Sequence, residues 1–241
     1  MPREFELRKE VSLPATPERV WEAIATGPGQ TAWFMPLPVA PDPSLAAAWD
    51  PPRRLVIRVP GAEGTFQAFE YVIEARAGGT SVLRFVHSGF LGDDWSDEFE
   101  ATTDRGWDMY LHTLAQYLAH FDGRPATYVA AEAPPSSTGE RAWPILLDAL
   151  GLSVGVAPGD PVRLAPEGLA PSTGVVDYVL APEAPRAGFF LGARTDAGLY
   201  RFHGRAPLGM PVAAGHHQYG EGVDGDRAQA AWSAWLGRVF A

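Results

Sequence analysis

The chain has 241 residues, no cysteine and a formal net charge of −10 at pH 7. The lack of thiols excludes disulfides, thiolate nucleophiles and cysteine-based metal or iron–sulfur sites. The negative charge argues against binding to nucleic-acid phosphates or to anionic membranes. The N-terminal segment has no apolar core and no apolar run is long enough to span a bilayer, so we expect neither a signal peptide nor a membrane span. We therefore expect a cytoplasmic protein.

A strand and a short helix are predicted at the start of the chain. Residues 5–13 alternate apolar and polar side chains with a period of two, and Lys9 falls on the apolar face. Thr16-Pro17-Glu18 combines a helix N-cap, a proline at the first helical position and an early acid, which predicts a helix directly after it. Residues 30–34 are predicted to add one more helical turn, which presents Trp33.

Three further strands and a long helix are predicted in the first half. Residues 54–59, 65–75 and 80–88 alternate with a period of two, which is typical of an antiparallel sheet with one face in solvent. Residues 92–97 are predicted to form an acidic loop, and residues 103–121 an amphipathic helix. The apolar face of the strands is expected to carry Phe69, Tyr71, Phe85 and His87. The side of the helix that faces it is expected to carry Trp107, Tyr110, Leu111 and Leu114.

The second half repeats the order of elements of the first. Residues 138–143 match residues 16–21 at an offset of 122, and the chain ends in another amphipathic helix, predicted at 226–240. Strands are expected at 127–135, 161–165, 175–181, 188–194, 199–205 and 212–219. We interpret this as a tandem duplication, with domains at 1–122 and 123–241.

Three segments resemble a known family. Pro14-Ala15-Thr16-Pro17-Glu18-Arg19-Val20-Trp21-Glu22-Ala23-Ile24 comes first, Val86-His87-Ser88-Gly89-Phe90 closes a strand, and Gly106-Trp107 opens the long helix. Together they are similar to the Hsp90-ATPase-activator-like branch of the START/Bet v 1-like (SRPBCC) superfamily, over about residues 4–122. The resemblance implies an α+β helix-grip fold, in which a curved antiparallel sheet wraps around a long C-terminal helix with a cavity between them. The internal repeat extends this fold to the second half, which gives two units in tandem.

The resemblance implies three classes of function. Members of the superfamily bind lipids, sterols, hormones and polyketides, some are cyclases or aromatases, and the eukaryotic activators bind the chaperone Hsp90. We expect a non-catalytic protein that binds a hydrophobic or amphipathic small molecule in the cavity. A cyclase- or hydrolase-like enzyme in the same cavity is the first alternative, and a chaperone-regulator-like module that binds a protein partner is the second.

Several polar residues decide between these classes. Lys9 and His87 would be the polar anchors of a ligand, or the base of an enzyme; Lys9 could instead extend along apolar surface to solvent, and His87 could be a satisfied histidine at the end of its strand. The acidic loop is the candidate interaction surface, through Asp93, Asp94, Asp97 and Glu98.

No metal or cofactor is expected. His216-His217 is the most metal-like pair, but adjacent residues of a strand point to opposite faces, so we interpret the pair as a polar strand end. The acidic loop lacks the ligand spacing and the central glycine of an EF-hand. Motifs of phosphate loops, dinucleotide sites and serine hydrolases are lacking from the sequence.

Overall fold

The computed structural model describes residues 3–61, 65–91, 97–180 and 188–241. The strands within these ranges are β1 (Arg3–Leu13), β2 (Ala46–Asp50), β3 (Arg54–Pro60), β4 (Phe66–Arg76), β5 (Thr80–Leu91), β6 (Ala126–Glu132), β7 (Pro161–Leu164), β8 (Ser172–Leu180), β9 (Phe189–Thr195), β10 (Gly198–Gly204) and β11 (Ala213–Tyr219). The helices are α1 (Pro17–Ala25), α2 (Gly27–Thr31), α3 (Asp97–His120), α4 (Ala142–Ala149) and α5 (Gly225–Val239), with 3-10 turns at Pro135–Thr138 and Ala206–Leu208. The protein is thus α+β, as predicted. Within the described ranges, none of the helices combines the length and the apolar character that crossing a bilayer requires.

The chain divides into two compact units, and helix α3 contributes to both. The first unit contains residues 1–100 and 110–123, and the second contains residues 101–109 and 124–241. Residues 101–109 of α3 therefore belong to the second unit, and the rest of the helix belongs to the first.

The sheet of the first unit is antiparallel throughout, in the order β1-β5-β4-β3-β2. Strand β1 pairs with β5 from end to end, with Leu7 opposite His87 and Lys9 opposite Phe85. The β4–β5 hairpin turns at Gly78 and Gly79, whose φ angles of 77° and 74° lie in the left-handed region that glycine adopts without strain.

The two faces of this sheet differ in polarity because its strands alternate. One face carries ion pairs between neighbouring strands: Arg54 lies 2.7 Å from Glu70, and Arg84 pairs with both Glu10 and Glu74. The other face is buried and aromatic. The acidic side chains of the central strands therefore lie away from the buried face.

The sheet of the second unit has six antiparallel strands in the order β6-β11-β10-β9-β8-β7. Its apolar core contains side chains from α4 and α5 together with one face of the sheet, including Tyr200, Phe202 and Trp232. An irregularity between Val176 and Tyr178 inserts one extra residue into β8 relative to β9.

The structure differs from the predicted elements at several places. Helix α2 spans Gly27–Thr31 and not residues 30–34, because the Thr26 side chain caps it by accepting from the N–H of Gly29, and Trp33 lies after its end. Helix α3 begins at Asp97 and not at residue 103, because an acidic sequence suits the positive N-terminal end of a helix as well as it suits a loop. Strand β2 was not predicted, since the run Ala46-Ala47-Ala48 has weak β-propensity and forms a strand here by pairing with β3. Strand β6 ends at Glu132 and not at 135, where two prolines stop the ladder.

Candidate functional site

The buried face of the first sheet carries a row of aromatic rings. Phe69, Tyr71, Phe85 and His87 are each at most 8% exposed, so their predicted inward orientation is confirmed. The ring of Phe85 lies 5.1 Å from that of Tyr71 and 6.3 Å from that of Phe69. Burial raises the pKa of the Tyr71 hydroxyl above its usual range, so this group stays protonated. The result is an apolar wall whose polar atoms are neutral.

His87 is the polar centre of this wall. Its imidazole lies between the rings of Phe5 and Phe69, with centroid distances of 4.8 and 4.6 Å, and its Nε2 lies 3.1 Å from Oε1 of Gln67. Because the amide oxygen accepts, the imidazole donates from Nε2. Burial lowers the pKa of His87 to about 4, so the ring is uncharged at neutral pH.

Lys9 lies next to His87 on the same face. It faces Phe85 across β1 and β5, and Leu7, two residues earlier, faces His87. Lys9 and His87 are therefore diagonal neighbours, a relation in which Cα atoms are about 7–8 Å apart. Lys9 is half-buried. The two polar residues that the sequence placed on the inward faces thus lie together on neighbouring strands.

Gln67 is a site residue that the sequence analysis missed. It lies two residues before Phe69 on β4 and faces Gly89 of β5, and its Oε1 is hydrogen-bonded to Nε2 of His87. The same alternation that selected Phe69 and Tyr71 also selects Gln67. The signal that could have found it is therefore present in the sequence.

The segment after α2 packs against α3 through aromatic rings. Trp33 is fully buried, and its Nε1 donates to the carbonyl of Ala23 over 3.1 Å. Phe34 lies 5.5 Å from the ring of Trp33 and 4.7 Å from that of Tyr110. Trp33 is therefore a fixed packing residue, held by a hydrogen bond to the end of α1.

The helix residues of the predicted site fall into both units. Tyr110, Leu111 and Leu114 belong to the first unit, and the two leucines are at most 3% exposed. Trp107 is also buried, but it belongs to the second unit. Lys9, Phe69, Tyr71, Phe85 and His87 are thus joined on one sheet face, whereas Trp107 contributes to the other compact unit.

The predicted interaction surface lies mostly outside the described part of the chain. Asp93 and Asp94 are outside the described residues. Asp97 and Glu98 are in the first turn of α3, and their side chains are not among those described. The role of the acidic loop as an interaction surface stays a prediction.

The interpretation of His216-His217 as a polar strand end is wrong. Both side chains are fully buried within β11. The ring of His216 packs in the core against that of Trp232, with a centroid distance of 4.4 Å. The ring of His217 lies on the opposite face, with its centroid 5.3 Å from that of Tyr128. Among the described residues, no three histidine, aspartate or glutamate side chains lie close enough to hold a metal ion.

Comparisons with known proteins give likenesses to solved structures alone, since no family model and no curated protein matches the chain. Protein MLL2253 from Mesorhizobium loti is 18% identical, with 49% of this chain and 99% of its own covered and a TM-score of 0.43. The Aha1 dimer from Colwellia psychrerythraea is 17% identical, with 47% and 96% covered and a TM-score of 0.39. DynU16, from the dynemicin biosynthetic locus, is 18% identical over 96% of both chains, with a TM-score of 0.38. At such identities and TM-scores, these likenesses carry no information about the activity of this chain.

Proposed function

We propose that the first unit binds a hydrophobic or amphipathic small molecule against the buried face of its sheet and performs no chemistry on it. The observation that carries this proposal is the composition of that face. Lys9, His87 and Gln67 lie in neighbouring rows of a face whose other described side chains are aromatic or aliphatic, apart from the hydroxyl groups of Tyr71 and of Ser81, which donates to the carbonyl of Ala15. Aromatic rings supply contact area to an apolar body, and a few polar groups fix its orientation.

The state of His87 favours binding over catalysis. A general base is most effective when its pKa lies near the working pH, and burial lowers the pKa of His87 to about 4. One of its hydrogen bonds joins it to the amide of Gln67, and an amide does not stabilise an imidazolium as a carboxylate does. Glu70 and Glu74 of the adjacent strand lie on the opposite face, paired with arginines. His87 is thus suited to hydrogen bonding with a ligand.

We further infer that both units have the helix-grip fold and arose by duplication. In each sheet the first strand lies beside the last one, and the remaining strands follow in reverse order. In each case a long helix follows the last strand, α3 after β5 and α5 after β11. This shared strand order supports the duplication; the additional strand of the second sheet is the main difference.

The binding proposal is tested with Nile red, an uncharged dye whose fluorescence rises in apolar surroundings. We expect saturable binding to the full chain. Phe85→Trp should weaken it, because the larger ring fills space on the aromatic wall, while overpacking lowers the free energy of unfolding by no more than about 3 kcal/mol. The matched control is Phe90→Trp, which adds the same group on the same strand at a residue that is 39% exposed.

Two results would overturn the proposal. One is undiminished dye binding in Phe85→Trp with the fold intact by denaturant unfolding. The other is an equal loss of binding in Phe85→Trp and Phe90→Trp, since the dye would then bind without regard to the face that we assign.

A further inference from the structure

The second sheet has a polar face that is buried, opposite the face that packs against α4 and α5. On β10, Tyr200 and Phe202 point into the apolar core, so Leu199, Arg201 and His203 point the other way. Leu199, Arg201 and His217 are all fully buried. Placing charged and polar side chains out of water is costly unless each one has a partner. A buried polar group on this face that has no partner within the protein therefore indicates a place for a ligand.

Arg201 is fully satisfied. Its Nη1 and Nη2 donate to Oδ1 and Oδ2 of Asp177 over 2.9 and 2.8 Å, and the two side chains are 0% and 5% exposed. Nη1 also lies 3.2 Å from the carbonyl oxygen of Tyr200. This bidentate geometry, with two parallel hydrogen bonds, is the strongest form of an arginine–carboxylate pair. Asp177 thus neutralises Arg201 within the protein.

A glycine makes room for this ion pair. A Cβ at Gly192, which lies opposite Arg201, would come within 2.7 Å of both Arg201 Nη1 and Asp177 Oδ1. The pair therefore lies flat across the backbone of β9. Tyr178, the next residue after Asp177, faces Gly192 from β8.

Two other arginines border Tyr178, and neither has such a partner among the residues that the structure describes. Arg194 lies two residues beyond Gly192 on the same strand, so it is a diagonal neighbour of Tyr178, and its Nε is buried without a hydrogen bond. Arg105 is on the part of α3 that belongs to this unit, and its Nη1 is also buried without a hydrogen bond.

The helix passes over this part of the sheet. Thr102 Oγ1 accepts from the backbone N–H of Gly188 at the start of β9. A Cβ at Gly106 would contact the ring of Phe190 at 3.7 Å. Arg105 lies between these two contacts in the sequence. Burial and the charge of Asp108 raise the pKa of Tyr178 to about 12, and the charges of Arg105 and Arg201 oppose this shift. Arg105 and Arg194 thus share Tyr178 as a neighbour.

We propose that Arg105 and Arg194 bind an oxyanion, the carboxylate or phosphate group of a small organic molecule, beside Tyr178 on the polar face of the second sheet. Guanidinium N–H groups are the protein donors best matched to two-oxygen acceptors. A buried charged donor without an acceptor costs more than the hydrogen bond that it could form would contribute. Asp177 is already paired with Arg201, and no residue in the described part of the chain accepts a hydrogen bond from Arg194 Nε or Arg105 Nη1. We therefore expect the acceptor to come from a ligand. This site is separate from the one proposed in the first unit.

The test is isothermal titration of the full chain, at constant ionic strength, with sodium benzoate, phenyl phosphate and benzyl alcohol. We expect saturable binding of at least one anion and none of the uncharged alcohol. Benzoate alone would indicate a carboxylic acid, and phenyl phosphate alone a phosphate ester. Arg194→Gln and Arg105→Gln should each raise the Kd about tenfold or more, a loss of about 1.4 kcal/mol. Arg163→Gln, which changes an exposed arginine on β7 of the same unit, should leave the Kd unchanged.

A second measurement does not depend on the variants folding. In the unchanged protein, the Nε–Hε NMR resonance of Arg194 should shift along a saturation curve as the anion is added. The proposal is overturned if neither anion binds at millimolar concentration, or if binding leaves this resonance and both Arg→Gln variants unaffected. Nile red binding should be the same in Arg194→Gln as in the unchanged chain, so loss of anion binding and loss of the first-unit site are separate outcomes.

Discussion

Burial of His87 makes its contribution to stability depend on pH. In the unfolded chain its pKa is near the ordinary 6.5, whereas in the folded protein it is about 4. Below pH 6.5 the imidazole is protonated in the unfolded chain but stays neutral in the folded protein. The free energy of unfolding therefore decreases as the pH falls from 6.5 to about 4. Between about pH 7 and pH 5 this residue alone should lower the free energy of unfolding by about 2 kcal/mol.

His87→Gln tests this dependence, because glutamine keeps a donor near Gln67 but does not titrate. Between pH 7 and pH 5, we expect the free energy of unfolding of this variant, measured with denaturant, to decrease by about 2 kcal/mol less than that of the unchanged protein. His203 and His216, whose pKa values burial also lowers, remain in both proteins and cancel in the difference. The control is His120→Gln, at an exposed position near the end of α3. An identical pH dependence in His87→Gln and the unchanged protein would contradict the assignment.

At the scale of elements, strand β9 depends on Gly192. Gly192→Ala should lower the free energy of unfolding by about 1–3 kcal/mol, because the added methyl group displaces the buried ion pair. Gly237→Ala is the matched control, since a Cβ at Gly237 in α5 meets nothing within 4 Å. It should instead stabilise the protein, by about 1 kcal/mol from helix propensity. Equal stabilities of Gly192→Ala and the unchanged chain, measured by denaturant unfolding, would mean that the pair does not lie across this glycine.

The elements were more predictable than the surroundings of their side chains. Period-two alternation found β1, β3, β4 and β5, and the inward side of Phe69 and Phe85, because each strand has one polar and one apolar face. The six strands expected in the second half overlap β6–β11. Their alternation does not predict which face is exposed, because Arg201 and His217 share a face that is buried although it is polar. A sequence pattern reports polarity and not exposure, so a buried polar face is mistaken for one in water. The partner of a buried charge, such as Asp177, is visible only in three dimensions.

At the scale of the whole molecule, α3 determines which fragments of the chain retain a stable second unit. Its residues 101–109 belong to the second unit and include Trp107 and Met109, which are 4% and 0% exposed. A fragment of residues 97–241 should therefore be more stable than one of residues 110–241. The expected difference is several kcal/mol, at about 2–3 kcal/mol for each large side chain kept from water.

Complementation sharpens this comparison. A peptide of residues 97–109, added to the shorter fragment, should restore part of its stability and its near-ultraviolet circular dichroism. A peptide of the same composition in scrambled order is the control. If the two fragments unfold at the same denaturant concentration and the peptide has no effect, residues 101–109 of α3 are dispensable for the stability of the second unit.

The extra residue in β8 has a consequence for how the second sheet can vary among related chains. By placing both Asp177 and Tyr178 on one side of the strand, the bulge adds a carboxylate without moving the residues before or after it to the other side. In an alignment of relatives it would appear as a one-residue gap. Chains without that residue should also lack an arginine at the position of Arg201 and should tolerate a larger side chain at the position of Gly192. Insertion, arginine and glycine would then be inherited together, as a single unit of sequence change spread over three strands.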